Sequence, residues 1–393
     1  MTKKEELRQR RRKIRRRKQM FVFGVSGVIC LVLIIVIARG LLDLRAQEKK
    51  DTESKTEEQS QIQDQSPDAL DTVPLEEGKT GVSAEITISA AGDCTLGTDD
   101  NFDYSTSLPA KYEDVGDPGY FLANVREIFE GDDLTIVNLE GPLTTSGERA
   151  EKQFSFHGDP SYIQILSGSS VEACNLANNH SKDYGEQGYQ DTIAAAEQAG
   201  ILSFGYERTA VFETSGIRIG LVGVYELAKG MECQEDMSAA IQKLESEGVD
   251  LLIVSFHWGS EKENYPDETQ KALAHAAVDQ GADLVIGHHP HVLQGIEKYQ
   301  GKYIVYSLGN FCFGGNKNPS DKDTMIFQQT FTIENGEPAL NDEITVIPCR
   351  ISSVDDSNNY QPTPVQGEEA QRIMERIQEY SQPFGTQLSD TGV

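Results

Sequence analysis

Residues 282–295 read ADLVIGHHPHVLQG, a short apolar run closed by one glycine and then by three histidines around a proline. An apolar stretch of that length, bounded by Asp283 and Gly287, predicts a strand buried on both faces. Three of the chain's seven histidines fall within 288–291. Imidazoles crowded at the end of a buried strand are poor core material and good metal ligands. Pro290 stiffens the turn, which suits nitrogens from His289 and His291 converging on one point. The alternative is a solvated polar turn.

The same shape recurs along the chain. EITISAAG (85–92), DLTIVNLEG (133–141), VEACNLANN (171–179), IRIGLVGV (217–224), DLLIVSFH (250–257) and KYIVYSLGN (302–310) are apolar runs separated by amphipathic segments such as QDTIAAAEQAG and DETQKALAHAAVDQG. Buried strands alternating with helices predict an α/β domain whose sheets are covered on both faces. Five runs end on polar groups, and strand C-terminal ends are where such sheets build sites. Asp93 follows Gly92 at the end of the first; alone it could be a turn or a cap. Asn138 and Glu140 are two apart, which on a strand is the same face. Asn178, Asn179 and His180 would each need several partners if buried, and an amide oxygen with an imidazole suits a hard or borderline divalent metal. Asp183 and Gly185 read as the opening of a helix. His257 and the single Trp258 end another run, followed by Glu261; a lone histidine there is often structural. His275, in a helix, reads as packing or surface, and His157 as a rim residue.

Composition narrows the partners. The chain has 393 residues, enough for one large or two ordinary domains, and a net charge of −28, which excludes nucleic-acid binding by the main body. Residues 1–19 nevertheless carry eleven Lys or Arg. Residues 20–38, MFVFGVSGVICLVLIIVIA, contain no charge; as a helix they span roughly 28 Å, close to a bilayer's hydrocarbon thickness. We expect a single-pass membrane anchor with a cytoplasmic N-terminus, because the basic excess precedes the span. A buried helix or a cleaved secretory signal are the alternatives. Residues 39–83 are rich in Glu, Gln, Ser and Asp and read as a disordered acidic linker. The folded body is expected over 84–351, with a C-terminal extension over 352–393 carrying a helix near 368–380. Five of the six cysteines lie beyond the span, and we expect buried thiols rather than disulfides.

The ordered motifs Gly92-Asp93, Asn138-Leu139-Glu140-Gly141-Pro142, Ala177-Asn178-Asn179-His180, His257-Trp258-Gly259, His289-Pro290-His291 and Gly309-Asn310-Phe311 resemble those of the CapA family of bacterial capsule synthesis proteins. The resemblance implies association with poly-γ-glutamate capsules of Gram-positive bacteria. It also implies a fold similar to the calcineurin-like metallophosphoesterases, a sandwich of two mixed sheets flanked by helices. On that scheme Asp93, Asn179, His257, His289 and His291 hold a divalent metal (Mn, Zn or Mg), and His180, with Asp93 and Glu140, acts in catalysis. Asn178, Trp258, Glu261 and Asn310 are the expected substrate contacts. Two positions depart from the scheme: Thr95 stands where such enzymes place a histidine, and the bridging aspartate has no counterpart unless Glu140 substitutes. One-metal and two-metal centres both stay open. So do two functional classes. The chain reads either as an envelope-anchored hydrolase acting on a phosphoester or other anionic envelope substrate, or as a non-catalytic subunit of a polymer synthase or export complex. A scaffolding or receptor-like ectodomain is a third reading.

Overall fold

The computed structural model describes residues 83–334, 337–339 and 343–388. The expected basic tail, membrane span and nearly all of the linker lie outside them. Among the described residues no helix is long and apolar enough to cross a membrane.

In chain order the main strands are β1 (Ser83–Thr95), β2 (Leu134–Leu139), β3 (Ala173–Asn175), β4 (Leu202–Phe204), β5 (Ala210–Thr214), β6 (Ile217–Tyr225) and β7 (Leu251–His257). They continue as β8 (Leu284–His288), β9 (Ile296–Tyr299), β10 (Lys302–Val305), β11 (Asn310–Phe313), β12 (Asp323–Glu334) and β13 (Ile344–Arg350). The main helices are α1 (Leu108–Val115), α2 (Gly185–Gln198), α3 (Cys233–Ser246), α4 (Glu268–Asp279) and α5 (Gly367–Ser381). One sheet runs β13-β12-β1-β2-β3-β4, with β11 added parallel to the end of β1; the other runs β9-β10-β8-β7-β6-β5. Both are mixed. β1 to β4 pair in parallel, as do β6, β7, β8 and β10, while β12, β13, β5 and β9 join antiparallel.

Alternation along the strands divides the core into three. Ile86, Ile88 and Ala90 of β1 and Ile136 of β2 meet Ile219, Leu221, Ile253 and Ile286 of the second sheet in the central layer. Val137, Leu139 and Cys174 point the other way, toward α2 residues such as Ile193 and Ala196. Val254, Phe256 and Val285 point outward against Met237 and Ile241 of α3 and Leu273 of α4. The α/β reading of the apolar runs is therefore realised as two mixed sheets flanked by helices. The helix expected near 368–380 spans Gly367–Ser381, and its Ile373 and Ile377 sit in the central layer.

An acidic residue precedes each of four parallel strands, β2, β3, β7 and β8, and caps the start of a neighbouring strand. The carboxylates of Asp133, Glu172, Asp250 and Asp283 accept the backbone N–H of Thr87, Thr135, Arg218 and Leu252 at 2.8–2.9 Å. These bonds satisfy backbone donors, that of Leu252 buried and the others partly so, that the ladder leaves over.

Candidate metal centre

The inner-face register brings polar groups of both sheets to one level. Asp93 pairs across the ladder with Asn138 and with Asn310, Asn138 with Asn175, and His257 with Tyr225 and His288. Asn138, Asn175, His257 and His288 keep the parity of the central-layer residues behind them. Asp93 does not, and reaches the inner face because the β1–β2 register shifts between Ala90 and Asp93, as a bulge does. Gly92 permits this: a Cβ there would lie 2.0 Å from the Gly309 carbonyl oxygen, and that carbonyl accepts the Asp93 N–H at 2.9 Å.

Asp93, fully buried, accepts from Asn138 Nδ2 at 2.9 Å and lies 3.1 Å from His291 Nδ1 and 3.4 Å from His288 Nδ1. Burial alone would raise its pKa, but hydrogen bonds and charge from His288 and His291 hold it well below the usual carboxylate range. Glu140, just past β2, is 1% exposed and neither carboxylate oxygen has a hydrogen-bond partner. Its Oε1 lies 3.9 Å from the Nε2 atoms of His180 and His257 and 3.8 Å from that of His291. Burial, and secondarily the nearby Asp93 charge against the opposing pull of His291, raises its pKa to about 7. Burial and the charge of His291 lower His289 to about 4, and burial with the charge of His289 lowers His257 well below its ordinary value. Both imidazoles are thus neutral, the form that binds metals. His291, despite burial, is raised to about 10 by Glu140 and Asp93.

Two groups of side chains bring one ligand atom each within 4.8 Å of one another: Asp93, Glu140 and His291, and Glu140, His257 and His289. Glu140 belongs to both. Asn179 Oδ1 is 2.9 Å from His257 Nε2 and joins the second group. A buried carboxylate without a donor, ringed by imidazoles and an amide oxygen, is the donor set of a divalent cation. Thr95 is buried with no polar partner for its hydroxyl, so the missing histidine is not replaced there.

His180 stands at the edge of this cluster. Its Nδ1 donates to Asp183 Oδ2 at 2.7 Å, which turns Nε2 toward Glu140. Lys152 pairs with Asp183 and reaches the Asn179 carbonyl at 2.7 Å. The helix opening expected at Asp183 and Gly185 is met at Gly185, where α2 starts with no side-chain cap, and corrected at Asp183, whose carboxylate serves His180 and the Phe156 N–H instead.

Two of the expected substrate contacts, Trp258 and Asn178, sit elsewhere. Trp258 is fully buried, stacked on Phe256 at 4.3 Å and donating to the Tyr306 carbonyl. The residue after an inward His257 must face outward, so it belongs to the layer under α3 and α4. Asn178 is 1% exposed, and its amide is taken up by Asn138, the Leu139 carbonyl, the His180 N–H and Ser181. Asn310 bonds His291 twice, Oδ1 to Nδ1 at 2.9 Å and Nδ2 to the carbonyl at 3.2 Å, and fixes that ring. Glu261 is exposed beside the cavity that opens from the centre. His275 bonds Glu297 and stacks on Tyr299, and His157 bonds Asp100. The five cysteines among the described residues are free and buried. Asn175, Asn138 and His288 complete the polar floor; strand parity was the signal for each. Nothing in the sequence marks Lys152.

The sequence pattern of the family described as "Bacterial capsule synthesis protein PGA_cap" matches residues 87–315. The PGA biosynthesis protein CapA of Bacillus subtilis (strain 168) is 33% identical over 210 residues, 48% of this chain and 55% of that protein. The capsule biosynthesis protein CapA of Bacillus anthracis is 31% identical over 258 residues, 59% of this chain and 61% of that protein. The chain therefore spans less than two thirds of the length of these relatives. A hypothetical protein from Thermus thermophilus, known from a crystal structure, aligns with a TM-score of 0.40 at 16% identity, over 67% of this chain and 98% of that one. The matched stretch 87–315 starts inside β1 and ends just beyond β11, so it contains Asp93, Glu140, His180, His257 and His291 alike. By that match over more than half its length, the chain belongs to the PGA_cap family of bacterial capsule synthesis proteins.

Proposed function

We propose that this chain is an envelope-anchored accessory protein of poly-γ-glutamate capsule synthesis or export whose folded domain is a metal-dependent hydrolase. The observation that carries the hydrolytic part is Glu140, a buried carboxylate without a hydrogen-bond donor that is shared by both ligand groups. That sharing favours two cations over one, and Glu140 would contribute to holding both, as the missing aspartate would. Asp93 and His291 would hold the first and Asn179, His257 and His289 the second. With its mixture of imidazole and carboxylate, the set suits Mn or Zn better than Mg. A bound cation there supplies a Lewis acid that polarises a substrate oxygen and makes water a better nucleophile near neutral pH.

The chain's own residues supply the rest. Asn138 and Asn310 fix Asp93 and His291, and Asp183 holds His180 with Nε2 toward the reacting region, where it can give a proton to a leaving oxygen. The fold and chemistry resemble those of metallophosphoesterases, so a phosphoester, including a phospholipid-linked glycan, is the first substrate class to test and a γ-glutamyl amide the second. Anchoring rests on the uncharged stretch 20–38, and the basic residues before it support a domain on the outer side of a cell membrane. The buried Thr95, in place of a histidine ligand, favours the second reading, a non-catalytic subunit of a polymer synthase or export complex.

Elemental analysis of the purified full-length chain, with phosphodiester hydrolysis assayed under added Mn, Zn or Mg, decides between them. We expect bound metal and turnover, both lost in His291→Ala. Turnover that persists in His291→Ala, or a wild-type chain that holds no metal and hydrolyses nothing, would sink the hydrolase assignment.

A further inference from the structure

A cavity of about 610 Å³ opens from the centre, with His180, His291 and Asn310 at its inner end. Its wall beyond His180 is aromatic. The Phe156 ring lies 4.6 Å from the His180 ring, Phe154 runs parallel to Phe156 at 6.4 Å, and Phe102 meets them at 6.3 and 6.0 Å. Across the cavity Phe313 stands 5.4 Å from His291. Gly315 keeps the passage between these walls open, since a Cβ there would come within 2.6 Å of the Phe313 ring and 3.2 Å of the Phe156 ring. Phe154 is 41% exposed and lines the cavity, so its face is open to a ligand that enters there.

We propose that this cavity binds the ring of a phosphoester's alcohol group, a sugar or aryl ring laid against Phe154 and Phe156 while the phosphate meets the metal centre. The inference rests on the hydrolytic reading above and names the substrate class for it. A stretch of polyglutamate gains little here, because the lining's Lys262 and Lys317 share it with Asp103, Glu261 and an Asp321 already paired with Arg376, and it offers no row of cations for a carboxylate on every residue. A ring asks for faces, and faces are what the wall offers. The placement also suits the chemistry. Water adds to phosphorus, the P–O bond to the ring-bearing alcohol breaks, and its electron pair leaves on that oxygen. One water proton ends on the alcohol and the hydroxyl on the phosphate, so no further reactant is required. His180 lies between the centre and the aromatic wall, on the side where that alcohol departs.

The test uses the full-length chain loaded with Mn, and calorimetric binding of phenyl phosphate, glucose 1-phosphate and glycerol 3-phosphate. The two ring esters should bind about 5-fold more tightly than the acyclic one. Phe154→Ala should shrink that ratio to near unity, and Gly315→Ala, which narrows the passage, should do the same. Equal binding of all three esters to the wild type, or a ratio unchanged in both variants, would overturn the proposal. Phosphate release in the same samples reports on the centre separately. Ring preference without turnover counts against the hydrolase and leaves the ring pocket standing; turnover without preference does the reverse.

Discussion

Pro290 separates two non-glycine residues in left-handed backbone, His289 at φ 97° and His291 at φ 57°. Each such residue costs about 1–3 kcal/mol, and nearby bonds hold them in place: Lys262 N–H donates to the Pro290 carbonyl, and Asn310 clamps His291. A similar local cost falls on Glu140, whose buried carboxylate lacks any donor among the described residues. A chain selected only for stability would not keep it there. Glu140→Gln should therefore raise the metal-free unfolding free energy, measured in excess chelator at pH 8, by about 1–2 kcal/mol. Metal content should fall in the same variant. A lower stability without metal would mean that the carboxylate has a structural partner.

At the scale of elements, the caps at strand starts explain how parallel strands of differing length stay in register. Asp283 is buried and takes the Leu252 N–H at 2.8 Å and Lys302 Nζ at 2.6 Å. Removing it leaves a buried donor unsatisfied, so Asp283→Ala should cost about 2 kcal/mol in urea unfolding. A cost under a few tenths of a kcal/mol would show that water replaces the carboxylate. The acid-before-strand pattern is readable in the sequence as DL, EA, DL and DL at 133, 172, 250 and 283. Its meaning was not, because the bonded amide belongs to a strand 31 to 46 residues away.

For the whole molecule, the decisive feature is that the two sheets close on each other at the site end. A Cβ on Gly223 would fall 2.2 Å from Asn175 Oδ1 and 2.7 Å from the Gly205 Cα. With glycine at both positions, His257 of one sheet comes within 3.4 Å of Asn138 of the other. Gly223→Ala should wedge the sheets apart and lower metal stoichiometry more than it lowers the melting temperature, as elemental analysis beside calorimetry would show. Unchanged metal content would refute the wedge. At the far margin, α5 is tied to β12 by Arg372 and Arg376 on the buried Asp323. Burial alone would raise the Asp323 pKa, but the hydrogen bonds and charges of Arg372 and Arg376 lower it. Its stabilising contribution is thus present above the ordinary value near 3.8 and is lost as pH falls through the lowered one. Asp323→Asn should cost about 1 kcal/mol at pH 7, since Arg372 is half exposed, with the gap to wild type closing below about pH 4. A gap that persists at about pH 3 would assign the cost to packing.

What the sequence determined by itself is what periodicity and residue type can carry. Apolar runs with polar ends specify buried strands, their helices, and a cluster of Asp, Glu, Asn and His at strand ends. Membership of the capsule family was likewise legible, because its motifs are local. Strand parity alone would also have turned Trp258 away from His257 and added His288 and Asn175 to the inner face. The tertiary structure decided the rest. The bulge that turns Asp93 inward, the glycine contact that pinches the sheets, Asp183 behind His180, and Glu140 set between two ligand groups all depend on atoms brought together from distant stretches of chain. Local sequence fixes which face a residue occupies, and the packing of one sheet on another fixes what it meets there.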